Sequence, residues 1–214
     1  MLKAAIGVFA ERGYSAATME AIAAAANLTK PTLYRHFSGK DTLFKAMMEV
    51  PRDAMLQAAK APKGSGIVDQ LFRFAWVYAD TVMSPEYLAF ARLIIGEAQR
   101  FPEIGRAYQA SGPDQVLAGL TGVMQAARQA GQLDFEDAEL AAQDFWGLIL
   151  SAPRNRALHD PDAVQTRSEI ARYVNNGLRV FLRAYSTRPA EDLAQLEDLI
   201  FAYTQQASHR HPSG

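Results

Sequence analysis

The sequence contains no cysteine, so disulfide bonds, thiolate metal sites and cysteine nucleophiles are all excluded. No apolar run approaches the roughly 18 uncharged residues that a membrane span needs, and the first 14 residues lack the apolar core of a signal peptide. Alternating strand patterns are missing as well, whereas helical periodicity runs through the whole chain. We therefore expect a soluble, cytoplasmic, all-α protein that makes no contact with a membrane.

Histidine is scarce too. The four histidines are His36, His159, His209 and His211, and no two of them share one helical face at the spacing of metal ligands. The glycines around Ser65 lack the strand and helix that a phosphate-binding loop requires. We expect no catalytic activity, no metal and no cofactor.

The net charge of −1 is low for a nucleic-acid binder, but it is unevenly divided. Residues 1–50 carry six lysines and arginines against four acidic residues, a charge of +2, which leaves −3 for the remainder. Residues 21–40 contain no acidic residue while holding Lys30, Arg35, His36 and Lys40. This concentration of positive charge points to an anionic partner for one short segment.

Glycine, proline and asparagine divide the chain into about nine or ten predicted helices, with breaks expected at Gly13, Asn27, Gly131 and Pro153 among others. We predict a first domain at residues 1–47, a larger helical domain at 48–208, and a flexible tail at 209–214. Residues 61–66 are the best linker candidate. A helix over residues 41–60 is expected to cross the boundary, bent at Pro51.

Cap residues indicate a helix-turn-helix between residues 18 and 36. Thr18 is a suitable N-cap for one helix, and Asn27 can end it because asparagine tolerates the left-handed conformation of a sharp turn. Thr29 then caps a second helix, with Pro31 in the first turn, where a missing N–H is harmless. Two helices joined by three or four residues have the form of a DNA-reading motif.

Two lysines lie where a helix disfavours positive charge. Lys30 falls in the first turn of the second helix, and Lys40 follows Ser38, which forms a possible capping box with Asp41. Exposed N–H groups, the helix dipole and these lysines would together favour phosphate, which DNA presents in rows.

The residues FAERGY at 9–14, ATMEAI at 17–22 and, above all, TKPTLYRHFSGKDTLF at 29–44 resemble the DNA-binding domain of TetR/AcrR transcriptional regulators. The resemblance implies an all-helical homodimer that binds double-stranded operator DNA. It also implies that residues 1–47 are the DNA-binding domain and that residues 48–208 serve effector binding and dimerisation. It departs from the family at its start, because the basic lead-in is missing. Either the native start lies upstream of Met1 or fewer phosphates are contacted.

The resemblance also implies a role for each residue. Thr29, Lys30, Pro31 and Thr32 would face bases in the major groove, while Thr18, Tyr34, His36 and Lys40 would contact backbone phosphates. For Arg35, phosphate contact and a solvated position both stay open. The expected core of this domain consists of Ile6, Phe9, Ile22, Leu33, Phe37 and Leu43.

Residues 90–103 and 127–133 are similar to the AefR-like group of effector domains, which implies response to a small, mostly apolar or aromatic molecule. Our candidates for the pocket wall are Trp76, Arg92, Tyr108 and Trp146. Ordinary core packing would produce the same apolar stripes, and it stays an alternative for each of these residues.

Helices predicted at 137–152 and 167–185 are candidates for a four-helix dimer interface, as the resemblance implies. The second bears Ile170, Val174, Gly177, Leu178, Phe181 and Tyr185. The alternative is that both helices serve an intramolecular bundle.

The sequence thus favours a repressor that a small ligand releases from its operator. The alternative is a dimeric ligand-binding protein that activates transcription or has a weakened DNA-binding domain. In either case the helix over 41–60 is the expected lever between ligand and DNA.

Overall fold

The computed structural model describes residues 1–60, 65–163 and 165–210, with side chains described as far as Gln206. Within these ranges the chain forms eleven helices: α1 (Leu2–Ala16), α2 (Met19–Ala25), α3 (Lys30–His36), α4 (Lys40–Ala58), α5 (Ile67–Val82), α6 (Pro85–Ala98), α7 (Pro102–Ser111), α8 (Pro113–Gln129), α9 (Ala138–His159), α10 (Arg167–Tyr185) and α11 (Pro189–Arg210).

The all-α fold class is confirmed. The described residues contain no strand beyond one isolated bridge between Leu133 and Ser186. The helix count exceeds the expected nine or ten because the break between α6 and α7 was missed. Phe101 leaves the helical conformation, with φ −129° and ψ 75°, directly before Pro102. A residue that precedes proline is disfavoured in the α conformation, and this explains the break.

The predicted break at Pro153 is wrong, since α9 continues through it to His159. Proline removes one helical hydrogen bond, but the Pro153 ring is buried in the bundle, and this packing offsets the loss. Pro51 likewise lies inside α4.

Two predicted irregular segments fall partly outside the described residues. Residues 61–64 of the linker candidate lie there, while Ser65 and Gly66 precede α5. Of the tail predicted at 209–214, residues 209 and 210 still belong to α11, and residues 211–214 lie outside the described ranges.

The buried side chains form two clusters. One cluster is formed by the four helices α1, α2, α3 and α4, and it includes Phe90 and Ile94 of α6 and Ile104 of α7. The other joins α5 to α8, α9, α10 and α11, and the end of α4 contributes Met55 to it. The first cluster contains the predicted core residues, of which Phe9, Ile22, Leu33 and Leu43 are fully buried and Ile6 and Phe37 are partly buried. The N-terminal helices therefore rest directly on α6 and α7.

Helices α9 and α10 pack closely against each other within the chain. A Cβ at Gly177 would lie 2.6 Å from the carbonyl oxygen of Leu148, so only glycine permits this approach. Val174, Leu178 and Phe181, which the sequence predicts on a dimerisation helix, are buried inside the chain and serve its own core.

Candidate DNA-binding surface and ligand cavity

The turn between α2 and α3 is built from Asn27. Its φ of 53° lies in the left-handed region. The N–H of Asn27 donates to Ala24 O at 3.1 Å, and the N–H of Leu28 donates to Ala23 O at 2.9 Å. These two bonds satisfy the last carbonyls of α2 and turn the chain sharply into α3. The prediction that Asn27 ends this helix is confirmed.

Both predicted N-caps are present. The Thr18 hydroxyl accepts from the N–H of Ala21 at 3.2 Å, and the Thr29 hydroxyl accepts from the N–H of Thr32 at 3.4 Å. Pro31 lies in the first turn of α3, where the missing N–H leaves no bond unmade. The caps therefore start α2 and α3 at fixed residues and set the angle between them.

Helix α3 has one buried face and one open face. Leu33 is fully buried against the N-terminal core, while Thr29, Lys30, Pro31 and His36 are exposed, Thr32 is half-buried and the Tyr34 side chain is 41% exposed. Thr18 at the start of α2 and Arg35 are exposed as well. The structure thus places the candidate contact residues on the solvent side of the motif.

Lys30 has a partner that sequence reasoning missed. Its ammonium pairs with Glu20 of α2, and both side chains are about half exposed. Their hydrogen bond raises the pKa of Lys30 and lowers that of Glu20. An exposed ion pair contributes little stability, so a phosphate can replace the Glu20 carboxylate at small cost. Glu20, the residue just before the acid-free segment 21–40, therefore neutralises part of the positive charge of that segment.

Lys40 lies at the start of α4 and binds the last carbonyl groups of α1. Its ammonium donates to the carbonyl of Tyr14 at 2.7 Å and to that of Ser15 at 3.2 Å, and it lies 4.5 Å from the centre of the Tyr14 ring. An ammonium has three donors, so one remains for a phosphate.

The cap predicted for α4 is wrong. The N-cap is Gly39, and the Thr42 hydroxyl accepts from its N–H at 3.2 Å. The Asp41 carboxylate instead accepts a hydrogen bond from the Tyr14 hydroxyl. Asp41 is drawn away from the capping position because this tyrosine lies within its reach.

The end of α1 is also held by α6. Gly13 adopts φ 74°, a left-handed conformation that breaks the regular helix, as its sequence predicted. The N–H of Tyr14 donates to a Glu97 carboxylate oxygen at 3.2 Å, and a Cβ at Gly13 would lie 2.8 Å from the same oxygen. The first helix is thereby attached to both α4 and α6.

A cavity of about 350 Å³ is lined by side chains from each of the six helices α4 to α9. Its apolar wall includes Met48 and Met55 of α4, Val82 of α5 and Val116 and Leu117 of α8. Its polar and aromatic groups are Arg52, Tyr78, Tyr87, Tyr108, Gln109, Asp114, Trp146 and Arg154. Apolar walls with a few fixed polar groups are typical of small-molecule sites, and this volume suits a molecule of two or three rings.

Hydrogen bonds within the cavity wall hold the phenols of the cavity in place. The hydroxyls of Tyr87 and Tyr108 lie 2.9 Å apart, and the Trp146 indole N–H donates to the Tyr78 hydroxyl. Burial raises the pKa of Tyr78 to about 12 and also raises that of Tyr87. The two phenols therefore act as neutral donors or acceptors at physiological pH.

Two of the four pocket candidates, Tyr108 and Trp146, lie in the cavity wall. Trp76 lies elsewhere, stacked on Tyr203 of α11 with ring centres 4.5 Å apart. Arg92 donates to the carbonyl of Ala157 near the end of α9 at 2.9 Å and lies outside the cavity wall as well.

Sequence reasoning missed Arg52, Tyr78 and Arg154, whereas Tyr87 lies on an apolar helical stripe with Phe90 and Ile94 that the sequence marks as a candidate cavity wall. A signal existed for Arg154, since it follows Trp146 by two steps of four residues and so shares its helical face. Arg52 lies between Met48 and Met55 on one face of α4 in the same way. No comparable pattern marks Tyr78, because a different helix brings it to the cavity.

These features are those of a helix-turn-helix protein with a separate cavity in its helical bundle. Residues 1–47 match the sequence profile of bacterial regulatory proteins of the tetR family, and residues 69–187 match that of the AefR-like transcriptional repressor C-terminal domain. The second match covers more than half of the chain. The protein therefore belongs to the TetR family of transcriptional regulators.

Solved structures agree. A TetR-family regulator from Mesorhizobium loti is 28% identical, covering 87% of this chain and 95% of its own, with a TM-score of 0.69. The flavonoid-responsive regulator FrrA is 32% identical over 87% of this chain and 95% of its own, with a TM-score of 0.63. A regulator from Agrobacterium tumefaciens is 30% identical over 90% and 96%, with a TM-score of 0.66.

A curated relative matches over a shorter stretch. The HTH-type transcriptional activator FasR of Mycolicibacterium smegmatis is 42% identical over 60 residues, which are 28% of this chain and 27% of FasR. The match thus spans about a quarter of that regulator's length.

The family and fold are those of transcriptional regulators and not of enzymes. Among the described residues, no cluster of three or more His, Asp or Glu side chains is suited to hold a metal ion. No described helix combines the length and apolarity that crossing a membrane would require.

Proposed function

We propose that the protein is a repressor that binds operator DNA as a homodimer and releases it when an aromatic or apolar small molecule fills the cavity. The observation that carries this proposal is the course of α4. The helix starts at Lys40, beside α1 and the helix-turn-helix, and its side chains Met48, Arg52 and Met55 line the cavity.

A ligand among these side chains would change how α4 packs against its neighbours. Because Lys40 and Asp41 hold the end of α1, a shift of α4 would carry the helix-turn-helix with it. A ligand can favour one arrangement only by binding it more tightly, so the cavity must differ between the free and operator-bound proteins. If the two recognition helices of the dimer were equally far apart in ligand-bound and DNA-bound crystals, the proposal that α4 transmits ligand binding to the DNA surface would be wrong.

We assign the DNA contacts as follows. The exposed first turn of α3, with Thr29, Lys30, Pro31 and Thr32, would enter the major groove. Phosphates would be bound by Thr18, Tyr34, His36 and Lys40. Lys30 would exchange Glu20 for DNA, and Lys40 would offer its third donor. The boundary between the DNA-binding and effector parts, at residue 47, would fall inside α4.

The dimer interface would lie on the outer faces of α9 and α10. Leu140 and Leu148 of α9 are 58% and 37% exposed, and Tyr173 of α10 is 39% exposed. Large apolar side chains grouped on the surface of two adjacent helices are typical of protein interfaces. TetR regulators act as dimers, and two recognition helices can then reach successive major grooves.

Fluorescence anisotropy with DNA from upstream of the protein's own gene tests the DNA-binding assignment. We expect Tyr34→Ala and Lys40→Ala to weaken binding by about tenfold, and Lys40→Ala to reduce the salt slope by about 1. Lys60→Ala, beyond the far end of α4, is the matched control and should leave binding unchanged. Wild-type binding no tighter than to random DNA would contradict an operator-binding role.

A second function is favoured by one comparison, since FasR is named an activator. The chain would then be a dimeric ligand-binding protein that activates transcription, or one whose DNA-binding domain binds DNA only weakly. A promoter reporter separates the two functions. Loss of the gene raises expression for a repressor and lowers it for an activator. FrrA is named flavonoid-responsive, so the flavonoid quercetin is a suitable first ligand to add.

A further inference from the structure

Arg154 differs from the other charged side chains of the cavity. It lies on α9, half-buried in the cavity wall, and its Nε is buried without a hydrogen-bond partner. Among the described residues, no carboxylate lies within ion-pair distance of its guanidinium. A buried donor without a partner is unfavourable, so this arrangement favours a ligand that brings a hydrogen-bond acceptor, and a negatively charged acceptor suits the guanidinium best.

The other two charged groups of the cavity are already balanced. Arg52 pairs with Asp53 at 2.8 Å and donates to the carbonyl of Ser111 at 3.0 Å. Asp114 is exposed, accepts from the Gln109 amide at 2.7 Å, and lies in the first turn of α8, where the helix end favours negative charge. Neither group neutralises Arg154.

The neighbours of Arg154 suit an acidic aromatic molecule. Tyr78, Tyr87 and Trp146 line the same cavity and offer ring surfaces. The positive charge of Arg154 acts on both Tyr78 and Tyr87, opposing the rise that burial produces in the pKa of each phenol. These phenols remain neutral nonetheless, so they do not neutralise Arg154 either.

We propose that the cavity selects aromatic effectors that carry a carboxylate or another anionic oxygen group, which Arg154 binds. This inference rests on the proposed ligand-binding function and names the chemical class of the ligand. A guanidinium binds a carboxylate with two parallel hydrogen bonds, so it gives orientation as well as charge selection. The ring system would occupy the space between α4 and α8.

Isothermal titration calorimetry without DNA tests the charge preference with two matched pairs. The probes are 2-naphthoate against 2-naphthamide, and 4-biphenylcarboxylate against its amide. Each pair has nearly the same shape and differs in charge. We expect each acid to bind wild-type protein at least about tenfold more tightly than its amide.

Three variants test whether Arg154 is the source of the preference for acids over amides. Arg154→Met should bring the acids to the affinity of the amides, and Arg154→Lys should keep part of the preference because it keeps the charge. Arg156→Met removes an exposed arginine from the same helix and should change nothing. Thermal melts of all three verify that each variant is folded.

The outcomes separate the two proposals. Acids and amides that bind wild-type protein equally, or a preference that survives in Arg154→Met, would overturn the anionic class and leave the ligand cavity intact. Failure of all four probes to bind at millimolar concentration would count against the cavity as an aromatic effector site and overturn both. Operator binding is measured separately and depends on neither result.

Discussion

The absence of a Cβ atom at Gly177 allows α9 and α10 to pack closely against each other. Its Cβ position is occupied by the backbone of α9, with the Leu148 carbonyl oxygen 2.6 Å away and the Ile149 Cα 3.0 Å away. Backbone atoms inside a helix cannot move aside as a flexible side chain can. We expect Gly177→Ala to lower the free energy of unfolding by about 1–3 kcal/mol, because α9 and α10 must separate.

The matched control is Gly122→Ala in α8, where nothing lies within 4 Å of the added atom. Alanine favours the helix over glycine, so this change should raise stability by about 0.5–1 kcal/mol. Urea denaturation of both variants measures the difference. Two changes of the same sign would show that crowding at Gly177 does not govern the packing.

At the scale of helices, the N-caps of α3 and α10 provide a comparison between folding and DNA binding. The Thr29 hydroxyl accepts from the N–H of Thr32, and the Thr166 hydroxyl accepts from the N–H of Glu169 at 3.2 Å. Replacing either threonine with alanine should lower the free energy of unfolding by about 1 kcal/mol. Only Thr29→Ala should also weaken operator binding, because α10 lies outside the proposed DNA surface.

Chemical denaturation and anisotropy measured on the same protein samples separate the two effects. Thr29→Ser keeps the capping oxygen and should retain most of the stability that Thr29→Ala loses. Equal loss of DNA affinity in Thr166→Ala would mean that overall stability or dimerisation through α10 controls binding, and it would argue against a direct role for the start of α3.

The sequence predicts helix ends well where the signal is local. Thr18, Asn27 and Thr29 act on N–H and carbonyl groups within three or four residues, so their roles follow from order along the chain. Pro153 misled the prediction because the burial of its ring depends on distant helices. The Asp41 cap failed for the same reason, since Tyr14 competes for the carboxylate.

The ligand cavity was much less predictable than the DNA-binding surface. The DNA surface is one continuous segment, whereas the cavity wall draws side chains from α4 to α9. Trp76 and Trp146 look alike in sequence, yet one packs on α11 and the other lines the cavity. An apolar helical face reveals that a residue is covered but not which neighbour covers it.

For the whole molecule, the decisive test concerns the proposed dimer. Leu148 is exposed on α9 in the single chain, beside the close crossing with α10 at Gly177. If a second copy covers this face, an arginine there would bury an unpaired charge from each subunit. We expect Leu148→Arg to weaken dimerisation by at least about 100-fold.

The matched control is Ile95→Arg on α6, which replaces a side chain that is 63% exposed and lies on a different helix from the proposed interface. Analytical ultracentrifugation should find the control dimeric and Leu148→Arg monomeric at micromolar concentration. A monomer presents one recognition helix in place of two, so operator affinity should fall with dimerisation while the naphthoate affinity of the cavity remains. A Leu148→Arg protein that stays dimeric would place the interface elsewhere, and α9 and α10 would then serve the core of one chain alone.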